Sequence, residues 1–581
     1  MYKISDNILS PLGVTTEENL RAVLDGRSEL IRHEHIWSMP EPFCASMFTG
    51  GQSESMQYSG CSRMESFAIR SIYAALEGAS FEYKGLDVVL ILSSAKGNVE
   101  LLREGDDEAN CYRLGASARR IADVLGFVNE PVVVSNACIS GVSALHLARL
   151  LLDSGRFRYA VVCGVDVQSA FVVSGFQSLK ATSASPCRPF DICRSGLNLG
   201  EAAATMVLAG DDVVGGEDSG LWHIGRTSIH NDAFHLTSPS KNADGAYAAL
   251  SDVLDGVGTD ELGFVNLHGT ATMFNDQMEA VALRRAGLAS LPANGLKGYY
   301  GHTMGAAGIL ETVLSMAAAD DGLLPGTLGF AELGVSVPLN ITSDARHVDK
   351  PSFVKMISGF GGVNAALFAS KGKWRGRRAA GPSVKMSKPS AGQKLKVEHT
   401  VRIEPGKVLV DDQLMALPDE DTHSFLTAIY RKYVGDYPKF YKMDLLAKLG
   451  FLASELLLQA EGGERFSVRS DRAVLLFNRL GSFHADKAYL KTISNPDNYF
   501  PSPSLFIYTL PNIVTGEIAI RNHYQGETSF YILAERDEPL MEQIVCATLE
   551  EPQIQSVIYG WVEAEDETHF CVDIKLVRLG Q

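Results

Sequence analysis

Three segments from the first third of the chain recur, in the same order, near its end. This repetition constrains the fold more than any other feature. "SRMESFAIRSIYAAL" from Ser62 has a counterpart in "YKMDLLAKLGFLASELL" from Tyr441, "DVVLILSS" from Asp87 in "AVLLFNRL" from Ala473, and "YAVVCGVD" from Tyr159 in "SVIYGWVE" from Ser556. The offsets of 379, 386 and 397 residues grow slowly, as small insertions make them. Any two α/β segments can produce one such match, but three in order point to a duplicated unit.

The patterns inside the first copy alternate between two periods. Ser62 to Leu76 places Met64, Phe67, Ala68, Ile72 and Ala75 at helical spacing, and Cys138 to Leu152 reads as a second helix. Asp87 to Leu92, Pro131 to Ser135 and Tyr159 to Val165 are short apolar runs rich in β-branched residues. Strands with few polar interruptions, separated by helices, predict an α/β fold whose sheet is covered on both faces.

Between the copies lies a sharp change in composition. Lys371 to Thr400 holds nine Lys or Arg against the single acid Glu398, in a chain whose formal charge is −17. With Gly, Pro and Ser and no apolar periodicity, residues 371–400 are expected to form a basic flexible linker between domains 1–370 and 401–581. The acidic balance argues against general nucleic-acid binding. No basic-then-apolar leader and no run near 18 apolar residues occurs, so a cytoplasmic protein without a membrane span is expected. Nine scattered cysteines read as reduced thiols. Neither His268 nor His302 has zinc-ligand spacing, and Cys187 and Cys193 flank "RPFDI" without a second pair, so no metal site is expected.

The chemistry concentrates at three places. "VVVSNACISGVSALHLARLLLDSG" runs a buried strand into a turn bearing Cys138 and on into a helix, whose N-terminal N–H groups would favour a thiolate. "FVNLHGTATMFND" presents His268 at a strand end, and "LKGYYGHTMGAAG" presents His302 at a helix start, five residues after Lys297. Strand ends and turns are where α/β sheets display reactive groups.

Taken in order, "NACISG", "RPFDICRSG", "LGEAAA", "HGTAT", Asn275-Asp276 with Glu279, "GHTMGAAG" and "GFGGVNAAL" resemble the two-histidine class of β-ketoacyl-acyl carrier protein synthases. These are thiolase-fold condensing enzymes (KAS I/II-like), and the resemblance runs from Ser10 to Leu367. It implies a layered α-β-α-β-α domain and a decarboxylative Claisen condensation between an acyl group on Cys138 and malonyl-carrier protein. Cys138 would be the nucleophile. His268 and His302 would donate hydrogen bonds to the enolate oxygen. Lys297 and Glu279 would form a supporting charge pair, and the N–H groups of Cys138 and Phe360 an oxyanion hole. Gly359 and Gly361 would let the Phe360 loop approach and swing as a gate. Thr270 and Thr272 match positions that bind the phosphopantetheine arm of an acyl carrier protein, and no cofactor bound by the enzyme itself is implied.

The chain departs from the family pattern at Asn136, Ser195, Leu197, Asn198, Ala202 and Ser358, all expected near the acyl pocket or its gate. The C-terminal segment resembles the N-terminal half of a ketosynthase-like fold. Its nucleophile position falls near Glu535, where no cysteine stands, so it is expected to be catalytically silent. His484, His523 and His569 have no nucleophile beside them and read as structural. Such a half could serve as a built-in partner like a chain-length factor, or simply stabilise the chain. A homodimer formed through a central strand is the expectation the family sets, unless the attached half occupies that surface. Arg113, Arg119, Arg120 and the linker are candidates for docking an acidic carrier protein. Competing readings are a thiolase, which the "GFGGVN" ending disfavours, a Cys–His hydrolase, and a non-catalytic scaffold.

Overall fold

The computed structural model describes residues 1–103, 112–214, 220–372, 395–416 and 424–580. Its first sheet is built from Tyr2–Leu9 (β1), Val88–Ser93 (β2), Val132–Val134 (β3), Tyr159–Asp166 (β4) and Ala202–Ala209 (β5). They lie in the order β1–β5–β4–β2–β3, with β2, β3 and β4 parallel and β5 running against them. Trp222–Asn231 (β6), Phe264–Leu267 (β7), Pro292–Gly295 (β8), Asn340–Ile341 (β9), Ser352–Gly359 (β10) and Val363–Lys371 (β11) form the second sheet, ordered β6–β11–β10–β7–β8–β9.

Helices fill the layers around these sheets. Arg63–Glu77 (α1) and Leu114–Leu125 (α2) belong to the outer face of the first sheet. Ser62 caps α1 in a reciprocal box with Glu65, which explains why the helical pattern begins there. Ser140–Asp153 (α3) packs between the sheets, and Ala170–Ser178 (α4) lies over the region next to the C-terminal half. Asp244–Val253 (α5) and Met273–Arg285 (α6) cover the second sheet, and Ala307–Asp320 (α7) joins α3 in the middle layer. Nearly every side chain of α3 and α7 is buried, as a helix sandwiched by two sheets requires. This is the expected α-β-α-β-α domain.

The C-terminal half repeats the first sheet. Leu395–Glu404 (β12), Arg472–Asn478 (β13), Thr528–Ile532 (β14), Ser556–Ala564 (β15) and Phe570–Leu579 (β16) are ordered β12–β16–β15–β13–β14, strand for strand the order of β1 to β5. Leu445–Glu461 (α8) stands where α1 does. Pro503–Tyr508 (α9) and Ile513–Asn522 (α10) precede β14, and Glu538–Leu549 (α11) follows it as α3 follows β3. In place of the sandwiched face of α3, α11 turns the exposed Glu542 and half-buried Glu538 and Glu550 outward.

The two halves meet strand to strand. β14 pairs antiparallel with β3, Tyr531 opposite Val134 and Ile532 opposite Val133, and Ser135 N–H donates to Phe530 O at 3.0 Å. One continuous sheet therefore crosses the junction, and the hydrophobic cores on both of its faces contain residues of both halves. Of the two outcomes expected for this central strand, a homodimer or occupation by the attached half, the structure has the second: the edge of β3 is taken by the chain's own β14. Buried polar contacts reinforce the seam. Lys96 Nζ lies 2.7 Å from Asp486 and 2.5 Å from Thr509 O, Tyr112 donates to Asp486, and Arg149 pairs with Glu551 at 3.0 Å.

The linker boundaries also shift. Lys371 ends β11 and Leu395 to Thr400 lie in β12, because "LKVEHTVRIE" alternates as a strand despite its basic surroundings; residues 373–394 lie outside the described set. Among the described residues no helix is long and apolar enough to cross a membrane.

Candidate active site

β3 ends in a tight turn, Ala137–Ile139, that carries Cys138 ahead of α3. Ala137 takes a left-handed conformation at φ 49°, and so do Ala271 (59°) beyond His268 and Met304 (47°) beyond His302. Such backbone in residues with a Cβ costs on the order of 1–3 kcal/mol each and persists only where the surroundings enforce it. The strained turns bring the three side chains together. The reactive atoms of Cys138, His268 and His302 all lie within 4.8 Å of one another, and the two rings meet edge to face with centroids 5.0 Å apart. A metal ion could bridge atoms at this spacing, something the linear motif spacing did not reveal.

The tautomer of His302 follows from its contacts. Met304 N–H donates to Nδ1 at 3.1 Å, so Nε2 carries the proton, and that buried Nε2 has no protein partner. It is a donor held ready for something in the site. Burial, and then the charge of Lys297, push both imidazoles well below the usual histidine range, so both are neutral.

Cys138 does not behave as its place before a helix suggested. Burial pushes the thiol up to about 11, against the downward pull of Lys297 and of the backbone N–H groups of Phe360 and Cys138. The cysteine sits in the turn before α3, where desolvation by burial outweighs the dipole and leaves a resting thiol in place of the thiolate its position suggested. The same N–H groups, Phe360 and Cys138, are the pair expected to form an oxyanion hole. Gly359 lies so close to the Cys138 backbone that an added Cβ would stand 3.2 Å from Cys138 N, and Gly361 (φ 93°) and Gly362 (φ 75°) need left-handed backbone.

The expected Lys297–Glu279 pair is absent. Glu279 on α6 instead accepts from the backbone N–H groups of His268 (2.6 Å) and Gly269 (2.8 Å) and from Asn275 (2.9 Å). Lys297 donates to His268 O (2.7 Å) and to Glu311 (2.7 Å), and Lys355 donates to the other oxygen of Glu311 at 2.5 Å. The backbone of His268 is thus gripped at its N–H by an acid and at its C=O by a cation. The reason is geometric: α7 brings Glu311 between two buried ammonium groups, closer than α6 can bring Glu279. Glu311, Lys355 and Asp166, which accepts from the N–H groups of Ala95 and Gly305 at 2.9 and 2.7 Å, are site residues that motif reading missed. A lysine inside the apolar strand "SFVKMISG" and a glutamate inside "AGILETVLSMAAA" were the available signals.

A cavity of about 420 Å³ opens from the three side chains. Thr270 and Thr272, joined by a 2.9 Å hydrogen bond, line it, and Met273 and Phe274 stand exposed at its rim. Of the departures from the family pattern, Ser195, Leu197 and Ser358 line the cavity, and Ser358 donates to Asn364 at 2.7 Å. Asn198 stands beside the cavity, its O receiving the His302 N–H at 2.7 Å; two are corrected, since Asn136 faces the C-terminal half, donating to Thr528 O at 3.0 Å, and Ala202 lies in β5. Two of the docking candidates pair within their own domain, and residues 373–394 of the linker lie outside the described set. Arg119 pairs with Asp123 and Glu130, and Arg120 with Glu65. In the C-terminal half, the turn after β14 carries exposed Glu535 and no cysteine or histidine. His484 is half-buried there, His523 ends α10 at φ 55°, and His569 pairs with Asp566.

Comparison with known proteins agrees with this geometry. Residues 7–212 match the family "Beta-ketoacyl synthase, N-terminal domain" and 223–331 match "Beta-ketoacyl synthase, C-terminal domain", together more than half of the chain. A curated relative, 3-oxoacyl-[acyl-carrier-protein] synthase 2 of Vibrio cholerae, is 26% identical over 401 residues, covering 62% of this chain and 96% of its own. Among solved structures, a β-ketoacyl synthase from Burkholderia phymatum shares the fold at a TM-score of 0.58 and 24% identity, over 64% of this chain and 99% of its own. The structure titled PfaC keto synthase-chain length factor shares it at 0.78 and 14% identity, over 100% of this chain and 78% of its own. With Cys138, His268 and His302 meeting around one cavity in a thiolase-like domain and both family models matched in order, the chain belongs to the β-ketoacyl synthase family of acyl-transferring condensing enzymes.

Proposed function

We propose that the chain condenses an acyl group held on Cys138 with a malonyl unit carried by an acyl carrier protein, giving a β-ketoacyl-carrier protein. The observation that carries this reading is the meeting of Cys138, His268 and the unpartnered Nε2–H of His302 within 4.8 Å. In the first step the Cys138 sulfur attacks the acyl thioester and the N–H groups of Cys138 and Phe360 receive the oxyanion. The phosphopantetheine thiol leaves with the proton that Cys138 gave up. Holding the thiol near 11 costs roughly 5 kcal/mol of ionisation at pH 7, so proton loss accompanies attack.

In the second step a malonyl thioester occupies the same cavity, and its carbon–carboxylate bond breaks to release carbon dioxide. The enolate oxygen is held by His268 and His302, and its carbon attacks the Cys138 thioester; the freed sulfur then takes a proton. Neutral imidazoles suit this step because they donate hydrogen bonds without having to give up a charge. Thr270 and Thr272 would meet the phosphopantetheine arm. Lys297, Glu279 and Glu311 are positioning groups behind the histidines.

The C-terminal half fits the part of a chain-length factor fused in cis. A non-catalytic role for the whole chain would leave the assembled cysteine and histidines without use. We place the reaction in the cytoplasm, in fatty-acid synthesis or in a specialised polyketide or aryl-polyene-like pathway. Incubation with a panel of acyl-carrier-protein thioesters, followed by intact mass, tests the reading. An adduct on the wild-type chain that Cys138→Ala lacks is the expected result; no adduct from any thioester would move the scaffold reading to first place.

A further inference from the structure

We propose that Asn512, in the catalytically silent half, is a positioning residue for acyl transfer to Cys138. This rests on the function proposed above. The peptide joining Phe360 to Gly361 is held at both ends: Leu236 O accepts the Gly361 N–H at 2.7 Å, and Asn512 Nδ2 donates to Phe360 O at 2.8 Å. The first contact comes from the catalytic domain and the second from the C-terminal half. Asn231 extends the bracket, donating to Gly361 O at 2.9 Å and to Thr528 of β14 at 3.0 Å.

The packing shows that this approach is built in. A Cβ on Gly361 would stand 2.6 Å from Asn512 Nδ2, and a Cβ on Gly516 would stand 2.8 Å from Gly361 O. The start of α10 therefore lies backbone to backbone against the gate, with glycine on each side of the contact. The Phe360 ring is backed from the same direction. It stacks on Phe176 (centroids 6.0 Å), which meets Phe506 of α9 edge-on at 5.4 Å. With ring and carbonyl both fixed, the Phe360 N–H faces the Cys138 sulfur. Among the described residues, the His268 and His302 side chains receive no such contact from the C-terminal half. Loss of Asn512 should therefore weaken the oxyanion hole of acyl transfer and spare the enolate-binding pair.

The experiment measures two half-reactions on full-length protein. One is the rate of Cys138 acylation by an acyl-carrier-protein thioester, followed by intact mass. The other is carbon dioxide release from malonyl-carrier protein. Asn512→Ala is compared with Asn512→Asp, which keeps the shape and replaces the donor by an oxygen. Acylation is expected to slow about tenfold in Asn512→Ala and more in Asn512→Asp, with decarboxylation within about twofold of wild type. Equal acylation rates in a folded variant would overturn the proposal. So would a matching loss in both half-reactions, which would mark a structural role only. If Asn512→Ala does not fold, Asn512→Asp and Gly516→Ala, which presses on Gly361 O, give the same comparison. A wild-type chain that accepts no acyl group would overturn the parent reading, and this one with it.

Discussion

Glu311 balances two buried cations at once. It is buried between Lys297 at 2.7 Å and Lys355 at 2.5 Å and pairs directly with both, while Glu279 acts on Lys355 only from farther off. Glu311→Gln keeps the shape and leaves two ammonium groups in a dry interior. Breaking a buried pair from one side costs about 3–5 kcal/mol. The penalty has a ceiling, because one lysine can shed its proton. With an unfolded pKa of about 10.4 and about 1.36 kcal/mol per unit, neutralising it costs about 4.6 kcal/mol at pH 7, about 6 at pH 6 and about 3.3 at pH 8. Burial already lowers Lys355 to about 8 in the native protein, so it is the group that yields.

The sign follows from proton counting. The variant's native state binds fewer protons than its unfolded state, so its stability rises with pH relative to wild type. A continuous sheet across both halves makes the whole chain one cooperative unit, with an unfolding entropy of about 1.2 kcal/mol/K at typical per-residue values. The ceiling limits the drop in Tm to about 5 °C at pH 6, about 4 °C at pH 7 and about 3 °C at pH 8. Thermal unfolding of both proteins across this range is the assay. A Tm difference that stays constant with pH, or falls below about 1 °C, would refute the argument that Glu311 balances two buried cations.

Three further outcomes follow from other contacts. Lys96→Met leaves Asp486 buried without its cation and should cost about 3–5 kcal/mol in urea unfolding, most of it recovered in Lys96→Met/Asp486→Leu; equal losses in single and double variants would remove the pair from the seam. Alkylation of Cys138 by iodoacetamide should keep accelerating through pH 9, as a thiol near 11 requires, and Lys297→Met should move the inflection higher; a plateau by pH 8 would contradict burial as the dominant influence on the thiol. Because burial holds both imidazoles neutral, malonyl decarboxylation should show no imidazole titration between pH 6 and 8, and a rate that doubles or halves around pH 6.5 would refute it.

The strands were readable because burial on both faces leaves unbroken apolar runs, and the duplicated order was readable for the same reason. Helix α1 announced its own start through Ser62 and Glu65. Cys138, His268 and His302 stood out through the glycine-rich turns that carry them. What the chain did not disclose is pairing. Glu279 and Glu311 are both glutamates on buried helices, and only the placement of α6 and α7 decides which one meets Lys297. The partner of β3 was equally hidden, since a strand edge carries no label for the strand that will cover it. The basic composition around Leu395 masked the alternation of β12. Asn512 lies in a turn after "YTLP" that no motif marks, and its contact with Phe360 spans 152 residues.

The β3–β14 pairing also sets a timetable for synthesis. Asn136 finds its acceptor at Thr528, 392 positions later. A ribosome adding roughly 5–20 residues per second completes the catalytic domain about 10–30 s before β14 emerges. Throughout that interval the edge of β3 offers unpaired N–H and C=O groups, a template for the same edge on a neighbouring nascent chain. The tether resolves the competition once β14 appears, because a segment on the same chain is present at an effective concentration in the millimolar range, far above that of any other copy. Carrying its own partner strand thus fixes a one-to-one ratio of the two halves at translation, whatever the expression level.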